Sequence, residues 1–511
     1  MTSSAACVAG LGALSLIGCG DDSNDGGGGD GDSKPPPKPT GIARFGYPVS
    51  GTKSPADPGD SAQVNVDFAR IYNITEPMAR ATDPNSSLRL AESIEAVGND
   101  ATVWDVTVKE VEFSNGKPVR PEDIIATVRR LSDPATSLLA NSFGDIKDMK
   151  KTGPRTVRFT MNTPIANFVS KVGIVLFAQP EDWDPMKPIG SGPYMLESWV
   201  RGRKTVLKAN PNYRGPGPYI ETIELIEFAD DDARVNALLA GQIDAIESVP
   251  TGPLKAITDA GHNFVEGPSD SYVSIAMHTQ KAPYNDPRVR QAIRLIANRE
   301  QIVSQVFGGH AELGNDMVSL LDPEYPKDLP QREQDIEQAK SLLKAAGQEG
   351  MNIELVTSLA TASGPQLAQV FVEQAKQAGV TVKLKQIDPA QFYTPESGYL
   401  SHPIMTSAGA TPYLTVASIA LASGAPFNET HWNDAEWIKL YKEALSTVDD
   451  TKRKEIVSKL MTIEYERGGS MVAAFNVNST AAKKSIKGLK SQASNTAFNQ
   501  AMYETLWVDA S

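Results

Sequence analysis

From about position 41 onward, apolar residues recur at helical and strand spacings in alternation, which is typical of an α/β protein. Pro121 and the two acids after it predict the start of a helix whose apolar face runs to Leu131. Asp286-Pro287 predicts a second helix start, and Asn298 with Gln301 forms a capping-box pattern for its continuation.

Residues 351–387 carry the pattern of one strand–helix–strand unit. Alternating apolar positions predict strands near Ile353 and from Val380 to Leu384, with a helical face that includes Phe371 between them. Gly379 is expected to end that helix. Such a unit builds parallel strands joined by a right-handed crossover.

Two helices are predicted after this unit, and turns are predicted before it. Asn433 and Glu436 form a capping-box pattern, and residues 449–467 repeat the helical period. Asn115-Gly116 is a common hairpin signal, and residues 190–193 read as a turn that joins subdomains. Residues 151–153 precede an alternating strand, which predicts a hairpin turn there.

The first residues hold an apolar run from Val8 to Gly18 that ends directly before Cys19. This order is typical of a bacterial lipoprotein signal, in which the chain is cut before the cysteine and the new terminal thiol is acylated. The run is too short to cross a hydrocarbon core of roughly 30 Å, and no Lys or Arg precedes Cys19. We expect residues 1–18 to be a signal peptide and Cys19 to carry lipid.

Residues 19–40 are rich in Gly, Asp and Pro and are expected to form a tether. Four consecutive glycines favour a flexible coil, and Pro35-Pro36-Pro37 favours a stiffer polyproline segment. A lipid-anchored domain on the extracytoplasmic face of the cell membrane, extracellular or periplasmic, requires such a spacer. The alternative interpretation is that residues 19–40 are low-complexity sequence without a function.

Charge and cysteine content narrow the classes of partner. The net charge is −13, and five acids lie between Asp21 and Asp32. This balance argues against nucleic acid and against an anionic membrane face as partners. Cys7 and Cys19 are the two cysteines of the sequence, so a chain cut before Cys19 keeps no thiol for a disulfide or a metal.

Enzyme motifs are weak in this sequence. The five histidines include no HExxH pair, and neither a GxSxG elbow nor a phosphate-binding P-loop occurs. Ser50 and Lys53 match the SxxK pattern of penicillin-interacting enzymes, but Ser50 lies among Gly and Pro residues that predict a loop rather than a helix start. We expect no enzyme activity, no cofactor and no metal site.

Several stretches occur in an order that resembles the extracellular solute-binding proteins of family 5, the receptors of dipeptide, oligopeptide and nickel ABC importers. The resemblance covers about residues 41–490, and its specificity comes from the ordered spacing of short motifs. The stretches are Ile71–Met78, Leu90–Ser93 with Trp104–Val108, Phe113–Asp123, Pro188–Tyr194, Asn210–Tyr213 and Pro283–Ala292.

The resemblance implies an α/β protein with the periplasmic-binding-protein type II fold, in which two lobes enclose a ligand. It implies a first lobe over residues 41–275 with an inserted subdomain at about 80–188, a second lobe over 276–477, and a C-terminal return to the first lobe over 478–511. The chain would cross between lobes near 276–278 and 475–477. Ligand would favour the closed form, and a membrane permease would recognise that form. The protein would be a monomer.

One departure from the family bears on the ligand. Peptide-binding members carry an acid in the second lobe that pairs with the ammonium of the peptide, and the matching stretch here is Met405–Tyr413. No Asp or Glu occurs from Ser397 to Asn428. A buried ammonium without a partner costs several kcal/mol, so the sequence favours a less charged solute such as a sugar or a capped peptide. An acid supplied from elsewhere in the chain is the alternative.

Candidate ligand contacts follow from the same comparison. The residues are Tyr47, Tyr72, His278, Met405, Ser407, Thr411, Tyr413 and Trp432. His278 is expected near the cleft floor, as a ligand contact or as a structural histidine, and the aromatic residues are pocket walls or core residues. Nickel would require His278, His402 and His431 to converge.

The sequence thus predicts a lipid-anchored binding protein that delivers a small solute, peptide-like, sugar or other, to the permease subunits of an ABC importer. A ligand-sensing or adhesive surface lipoprotein with the same fold is one alternative. A lipid-anchored hydrolase is the other, and it would need a nucleophile–base pair that the motif search does not supply.

Overall fold

The computed structural model describes residues 34–50, 52–60, 65–80, 88–361, 363–389, 391–409, 412–493 and 497–509. Contacts divide the chain into Met1–Lys34 and Pro35–Ser511, and the second unit holds every element given below. The predicted signal peptide, Cys19, most of the predicted tether and Thr411 lie outside the described residues.

The described residues form strands and helices in alternation. The strands are β1 (Thr40–Pro48), β2 (Ala91–Ala96), β3 (Val103–Val108), β4 (Ile146–Lys151), β5 (Thr156–Met161), β6 (Tyr194–Val200), β7 (Lys204–Ala209), β8 (Ile220–Phe228), β9 (Ala245–Glu247), β10 (Asn263–Met277), β11 (Ala311–Leu313), β12 (Asn352–Thr357), β13 (Thr381–Gln386), β14 (Ile404–Gly409), β15 (Ser470–Ala482), β16 (Ile486–Lys487) and β17 (Trp507–Val508). The helices are α1 (Asn65–Ile74), α2 (Pro121–Leu131), α3 (Ala140–Phe143), α4 (Asp231–Leu239), α5 (Leu254–Asp259), α6 (Pro287–Ile296), α7 (Arg299–Phe307), α8 (Ile336–Ala345), α9 (Gly364–Gln377), α10 (Tyr413–Val416), α11 (Ala435–Ser446) and α12 (Asp450–Arg467).

Two long strands, β10 and β15, lie in the middle of the large sheet and pair with each other along most of their lengths. The strand order is β13-β12-β14-β10-β15-β9-β1-β8-β7-β6, with β11 against β15. On one side β14 pairs with the last part of β10, and on the other β9 pairs with the last part of β15. The two strands therefore connect two halves of one sheet, which we call the first lobe and the second lobe.

The first lobe is built on one large apolar core. Apolar side chains of β1, α1 and β8 form it together with those of the smaller sheet β2-β3-β5-β4. Residues from Ala482 to Leu506 complete the same core, so the end of the chain returns to the first lobe. The small sheet is an inserted subdomain, and Lys151–Thr156 forms the hairpin turn that the sequence predicts between β4 and β5.

The second lobe has its core around β10, β12, β14 and β15, covered by helices α6 to α9. The predicted strand–helix–strand unit is confirmed, since β12 and β13 are parallel and α9 connects them. Helix α7 begins at the predicted cap, where the Asn298 side chain accepts a hydrogen bond from the Gln301 N–H. Helix α11 begins one residue later than predicted, because the capping side chain is that of Asp434 rather than Asn433.

The chain changes lobes along β10 and β15 at an irregular stretch. The pairing of the two strands shifts between Pro268 and Tyr272, opposite Phe475 to Val477. A second contact joins the lobes away from these strands, where the N–H of Ala166 donates to the carbonyl of Leu445 at 2.8 Å. Val448 of the second lobe packs against the core of the first.

Two glycines hold the end of α1 against the loop before β6. Gly192 N–H donates to the carbonyl of Ile74 at 3.0 Å. A Cβ atom at Gly190 would lie 1.8 Å from that same carbonyl oxygen, and one at Gly192 would lie 2.4 Å from the carbonyl oxygen of Asn73. This close backbone approach requires glycine at both positions.

A buried carboxylate joins several elements of the second lobe. Asp316 is fully buried, and its side chain lies 2.6 Å from the Arg299 guanidinium and 2.7 Å from that of Arg332. Arg294 lies 3.8 Å away and also donates to backbone carbonyls near the start of β15. Asp316 is therefore the shared counter-charge of three arginines.

Candidate functional site

The carboxyl ends of the parallel strands in both lobes lie beside the stretch where β10 and β15 change lobes. In the first lobe, Glu247 at the end of β9 pairs with Thr480 of β15. In the second lobe, Gly409 at the end of β14 pairs with Tyr272, the first residue of β10 after the shift in pairing. Ligands of open α/β sheets bind outside such strand ends, which makes this edge the candidate site.

A buried ion network lies near the ends of β1 and β8 in the first lobe. Arg70 of α1 contacts both Asp67 and Glu227, and all three are buried. The hydroxyl of Ser50 donates to Asp67 at 2.6 Å, while its N–H donates to Glu227 at 2.7 Å. Ser50 thus belongs to a buried hydrogen-bond network.

Tyr47 lies in the core of the first lobe rather than on the cleft surface. Its side chain is 1% exposed and its hydroxyl contacts that of Tyr503. Burial raises the pKa of both tyrosines, and the carboxyl of Glu247 adds to the effect. Burial also raises the pKa of Glu247 to about 8, although the nearby Arg234 opposes that change.

Tyr72 of α1 is half-buried in an aromatic stack. Its ring lies 5.4 Å from that of Phe68 and 6.4 Å from that of Phe177. The guanidinium carbon of Arg80 lies 4.5 Å from the ring centroid, a cation–π contact. These contacts occupy the ring and indicate a packing role.

Most of the predicted contacts in the second lobe are core residues. Met405 and Ser407 of β14 are 1% and 3% exposed, and Trp432 packs on Trp437 with ring centroids 5.3 Å apart. Tyr413 is fully buried, and its hydroxyl accepts a hydrogen bond from the Trp437 indole N–H. Tyr413 also contacts Glu464, whose burial raises the pKa of that carboxyl to about 8.

The two buried carboxyls in these cores, Glu247 and Glu464, predict the pH dependence of stability. Burial raises the pKa of both carboxyls to about 8 in the folded protein, whereas the unfolded chain releases the proton near the ordinary glutamate pKa of 4.5. The folded state therefore binds more protons between these values. The free energy of unfolding should therefore fall as pH rises from 5 to 8.

Urea denaturation at pH 5 and pH 8 measures this trend. The variant Glu247→Gln should have a flatter pH profile, because a neutral amide replaces the group that exchanges the proton. Glu337→Gln, at an 85% exposed side chain on α8, is the matched control and should keep the profile of the parent protein. An unchanged profile in Glu247→Gln would contradict the prediction.

Glu429 and four aromatic residues form a cluster at the second-lobe edge, which we call the aromatic corner: Tyr272, Tyr393, Tyr399, Phe427 and Glu429. The hydroxyl of Tyr399 donates to the Glu429 carboxylate at 2.5 Å, and the Ser407 hydroxyl donates to it as well. Burial raises the pKa of Glu429 to about 7. Tyr393 and Phe427 are each 45% exposed.

Glu429 changes the interpretation of the acid-free stretch before it. The sequence from Ser397 to Asn428 holds no acid, but the fold brings Glu429, the residue directly after this stretch, into contact with Ser407. Glu429 is therefore the candidate for the acid that the alternative interpretation requires from outside this stretch.

His278 lies at the end of β10 that is farther from the change of lobes. The backbone N–H of His278 donates to the carbonyl of Pro403, and its ring stacks on that of His431 with centroids 4.0 Å apart. Burial and the neighbouring imidazole lower the pKa of His278 to about 4, so the ring is neutral at pH 7. Its Nδ1 accepts a hydrogen bond from the Gln280 N–H, which indicates a structural histidine.

No group of three or more His, Cys, Asp or Glu side chains suited to a metal ion occurs within the described ranges. In the same ranges, no helix is long and apolar enough to span a membrane.

Sequence reasoning missed Tyr393, Phe427 and Glu429. Tyr393 follows β13 and the other two follow α10, in segments without a regular apolar period. These residues could have been predicted from the position of their segments. Both segments follow strands of the second lobe whose carboxyl ends lie at the candidate site.

Sequence comparisons match this chain to known proteins. The profile of the bacterial extracellular solute-binding proteins, family 5 Middle, matches residues 87–419. The oligopeptide-binding protein AppA of Bacillus subtilis is 29% identical over 352 residues, 62% of this chain and 64% of that protein. The glutathione-binding protein GsiB of Escherichia coli K12 is 26% identical over 317 residues, 59% of this chain and 61% of that protein.

Solved structures show the fold. The substrate-binding protein CtaP of Listeria monocytogenes superposes with a TM-score of 0.80 at 21% identity, covering 92% of this chain and all of that one. The AppA structure with a nonapeptide gives 0.73 at 22% identity, covering 93% and 100%. The predicted type II periplasmic-binding-protein fold, with two lobes and an inserted subdomain, is confirmed. In sequence, the chain spans 60 to 64% of the length of the first curated relatives it matches.

Proposed function

The chain belongs to the bacterial extracellular solute-binding proteins of family 5, and on that premise we propose that it binds a small solute between its lobes and delivers it to the permease of an ABC importer. The observation that carries this proposal is the two-strand connection formed by β10 and β15, with strand ends of both lobes beside it. Such a connection lets two rigid bodies close on a ligand.

Exposed apolar side chains at the same edge support a binding surface. Val49 directly after β1 is 49% exposed, and Leu359 after β12 is 62% exposed. Tyr393 and Phe427 add two half-exposed rings. Apolar side chains gathered at one edge of a soluble protein mark an interaction site more often than chance exposure does.

The solute class in this proposal is peptide-like or another small organic molecule. AppA and GsiB are named for oligopeptides and glutathione, and one structural neighbour holds agropinic acid. The proposal includes a lipid anchor at Cys19, extracytoplasmic location, a monomeric state and ABC permease subunits as partners. It assigns no catalytic step to the chain.

We expect ligand to shift the two lobes toward a closed form. Small-angle X-ray scattering should give a smaller radius of gyration after addition of a solute that also raises the melting temperature, because ligand binds the closed form better. A pool of N-acetylated tripeptides is a suitable first probe. An unchanged radius at demonstrated saturation would contradict the closing mechanism.

A sensing or adhesive lipoprotein with this fold is the second candidate function. It would close on solute in the same way but without a permease. Solute uptake by cells that carry and lack the gene separates the two, since a sensor would leave uptake unchanged.

A further inference from the structure

The rings of the aromatic corner pack edge to face on one another, and one of them, Tyr399, bonds the Glu429 carboxylate. The rings of Tyr393 and Phe427 lie 6.1 Å apart at an interplanar angle of 90°, and Tyr399 lies 4.9 Å from Tyr393 at 74°. Tyr399 and Phe427 lie 6.4 Å apart at 66°. The rings of Tyr393 and Phe427 are half-exposed, so solvent reaches this side of the corner, while the Glu429 carboxylate accepts a hydrogen bond from Tyr399.

We propose that the aromatic corner is a subsite for an alkylated ammonium group of the solute. The proposal rests on the proposed function, since it names the chemistry of one end of the molecule bound between the lobes. The faces of aromatic rings carry negative potential and attract cations, and quaternary ammonium groups are recognised in this way.

The charge of Glu429 favours a cation over a neutral apolar group. No positively charged side chain contributes to its pKa among the residues that the structure describes. The carboxylate therefore lacks a counter-ion there, and burial alone raises its pKa to about 7. A cation in the corner would stabilise the ionised form.

The hydrogen bonds of Glu429 favour an alkylated cation over a primary amine. Tyr399 and Ser407 already donate to the carboxylate, which leaves about two of its four acceptor positions. A primary ammonium carries three N–H donors that need acceptors once water is removed. An alkylated ammonium has fewer donors or none, and its carbon surface packs on rings. Peptides with a free terminal amine should therefore bind weakly here, as the acid-free stretch already suggested.

Three probes of similar size separate charge, alkylation and shape. Choline carries a trimethylammonium group, 3,3-dimethylbutan-1-ol is its neutral isostere, and ethanolamine is the primary amine. Calorimetric or NMR titration of the full chain should show choline binding about tenfold more tightly than either of the others. Equal binding of the neutral isostere, tighter binding of ethanolamine, or no choline binding at 50 mM overturns the proposal.

Variants test whether the aromatic corner is responsible for the expected preference for choline. Glu429→Gln and Phe427→Ala should each weaken choline binding about tenfold, and Glu429→Gln should leave the neutral isostere unaffected. Glu354→Gln, at a half-exposed carboxylate on β12 that pairs with Lys385, is the matched control and should bind as the parent does. Unchanged choline affinity in Glu429→Gln would overturn the role of the carboxylate.

The affinity for choline should also fall as pH decreases from 8 to 6. The titratable groups that face Glu429 are Tyr272, Tyr393 and Tyr399, and burial raises the pKa of each above its ordinary value. These tyrosines stay neutral over this range, so the loss follows protonation of Glu429. Closure on N-acetylated tripeptides without any choline binding would reject the subsite alone, whereas the absence of closure with every solute would reject the proposed function.

Discussion

Replacement of Asp316 by Asn should lower the free energy of unfolding by about 3–5 kcal/mol, because it leaves buried arginines without their counter-charge. Asp316 is fully buried, and Arg294 and Arg299 are 2% and 4% exposed. Asn has nearly the same shape, and it tolerates the left-handed backbone at this position, where φ is 63°. The loss would therefore report the charge and not the backbone.

Urea denaturation followed by tryptophan fluorescence measures this loss, since Trp432 and Trp437 both lie in the second lobe. Asp450→Asn is the control, because its carboxylate is 61% exposed and pairs with Arg453 on the surface. Exposed pairs contribute about 0–1 kcal/mol. A loss below about 1 kcal/mol in Asp316→Asn would show that backbone carbonyls alone satisfy the arginines.

Gly190→Ala should destabilise the first lobe by more than about 3 kcal/mol and reduce the yield of folded protein. The new Cβ would lie 1.8 Å from the carbonyl oxygen of Ile74 and 3.0 Å from the Cα of Thr75. Both contacts are with backbone, which cannot rotate away as a side chain can. The end of α1 would have to separate from the loop before β6.

Gly252→Ala is the matched control for this prediction. No heavy atom lies within 4 Å of a Cβ at that position, so its effect should stay within about 0.5 kcal/mol. Thermal denaturation of both variants separates the close contact from the general effect of adding a methyl group. Equal melting temperatures would mean that the loop before β6 moves away at little cost.

Helix starts were predictable because capping depends on a few neighbouring residues. Asn298 caps α7 as its spacing predicts, and the shift from Asn433 to Asp434 at α11 arises because both side chains are good caps. The order of the strands across the two lobes was not available from local pattern. The family resemblance implied two lobes and no strand order, because pairings such as that of β9 with β15 join distant parts of the chain.

The sequence indicates less about the placement of side chains at the candidate site than about the fold. An aromatic residue near a strand end can face the core or the cleft, and Tyr47 and Tyr413 both face the core. Tyr393, Phe427 and Glu429 come from separate irregular segments, and only the folded backbone brings them together. The absence of acids from Ser397 to Asn428 was correctly observed, but position in sequence did not reveal which acid would approach Ser407.

The placement of β15 has a consequence for the order in which the molecule is completed during synthesis. Chains are made from the N-terminus, so β1, β8 and β9 exist long before β15 arrives to pair with β9. The core of the first lobe is also incomplete until residues from Ala482 to Leu506 have been synthesised. Such distant pairings form slowly. The part of the protein that is synthesised first is therefore among the last to be finished, and it stays unfinished until nearly the whole chain has been made.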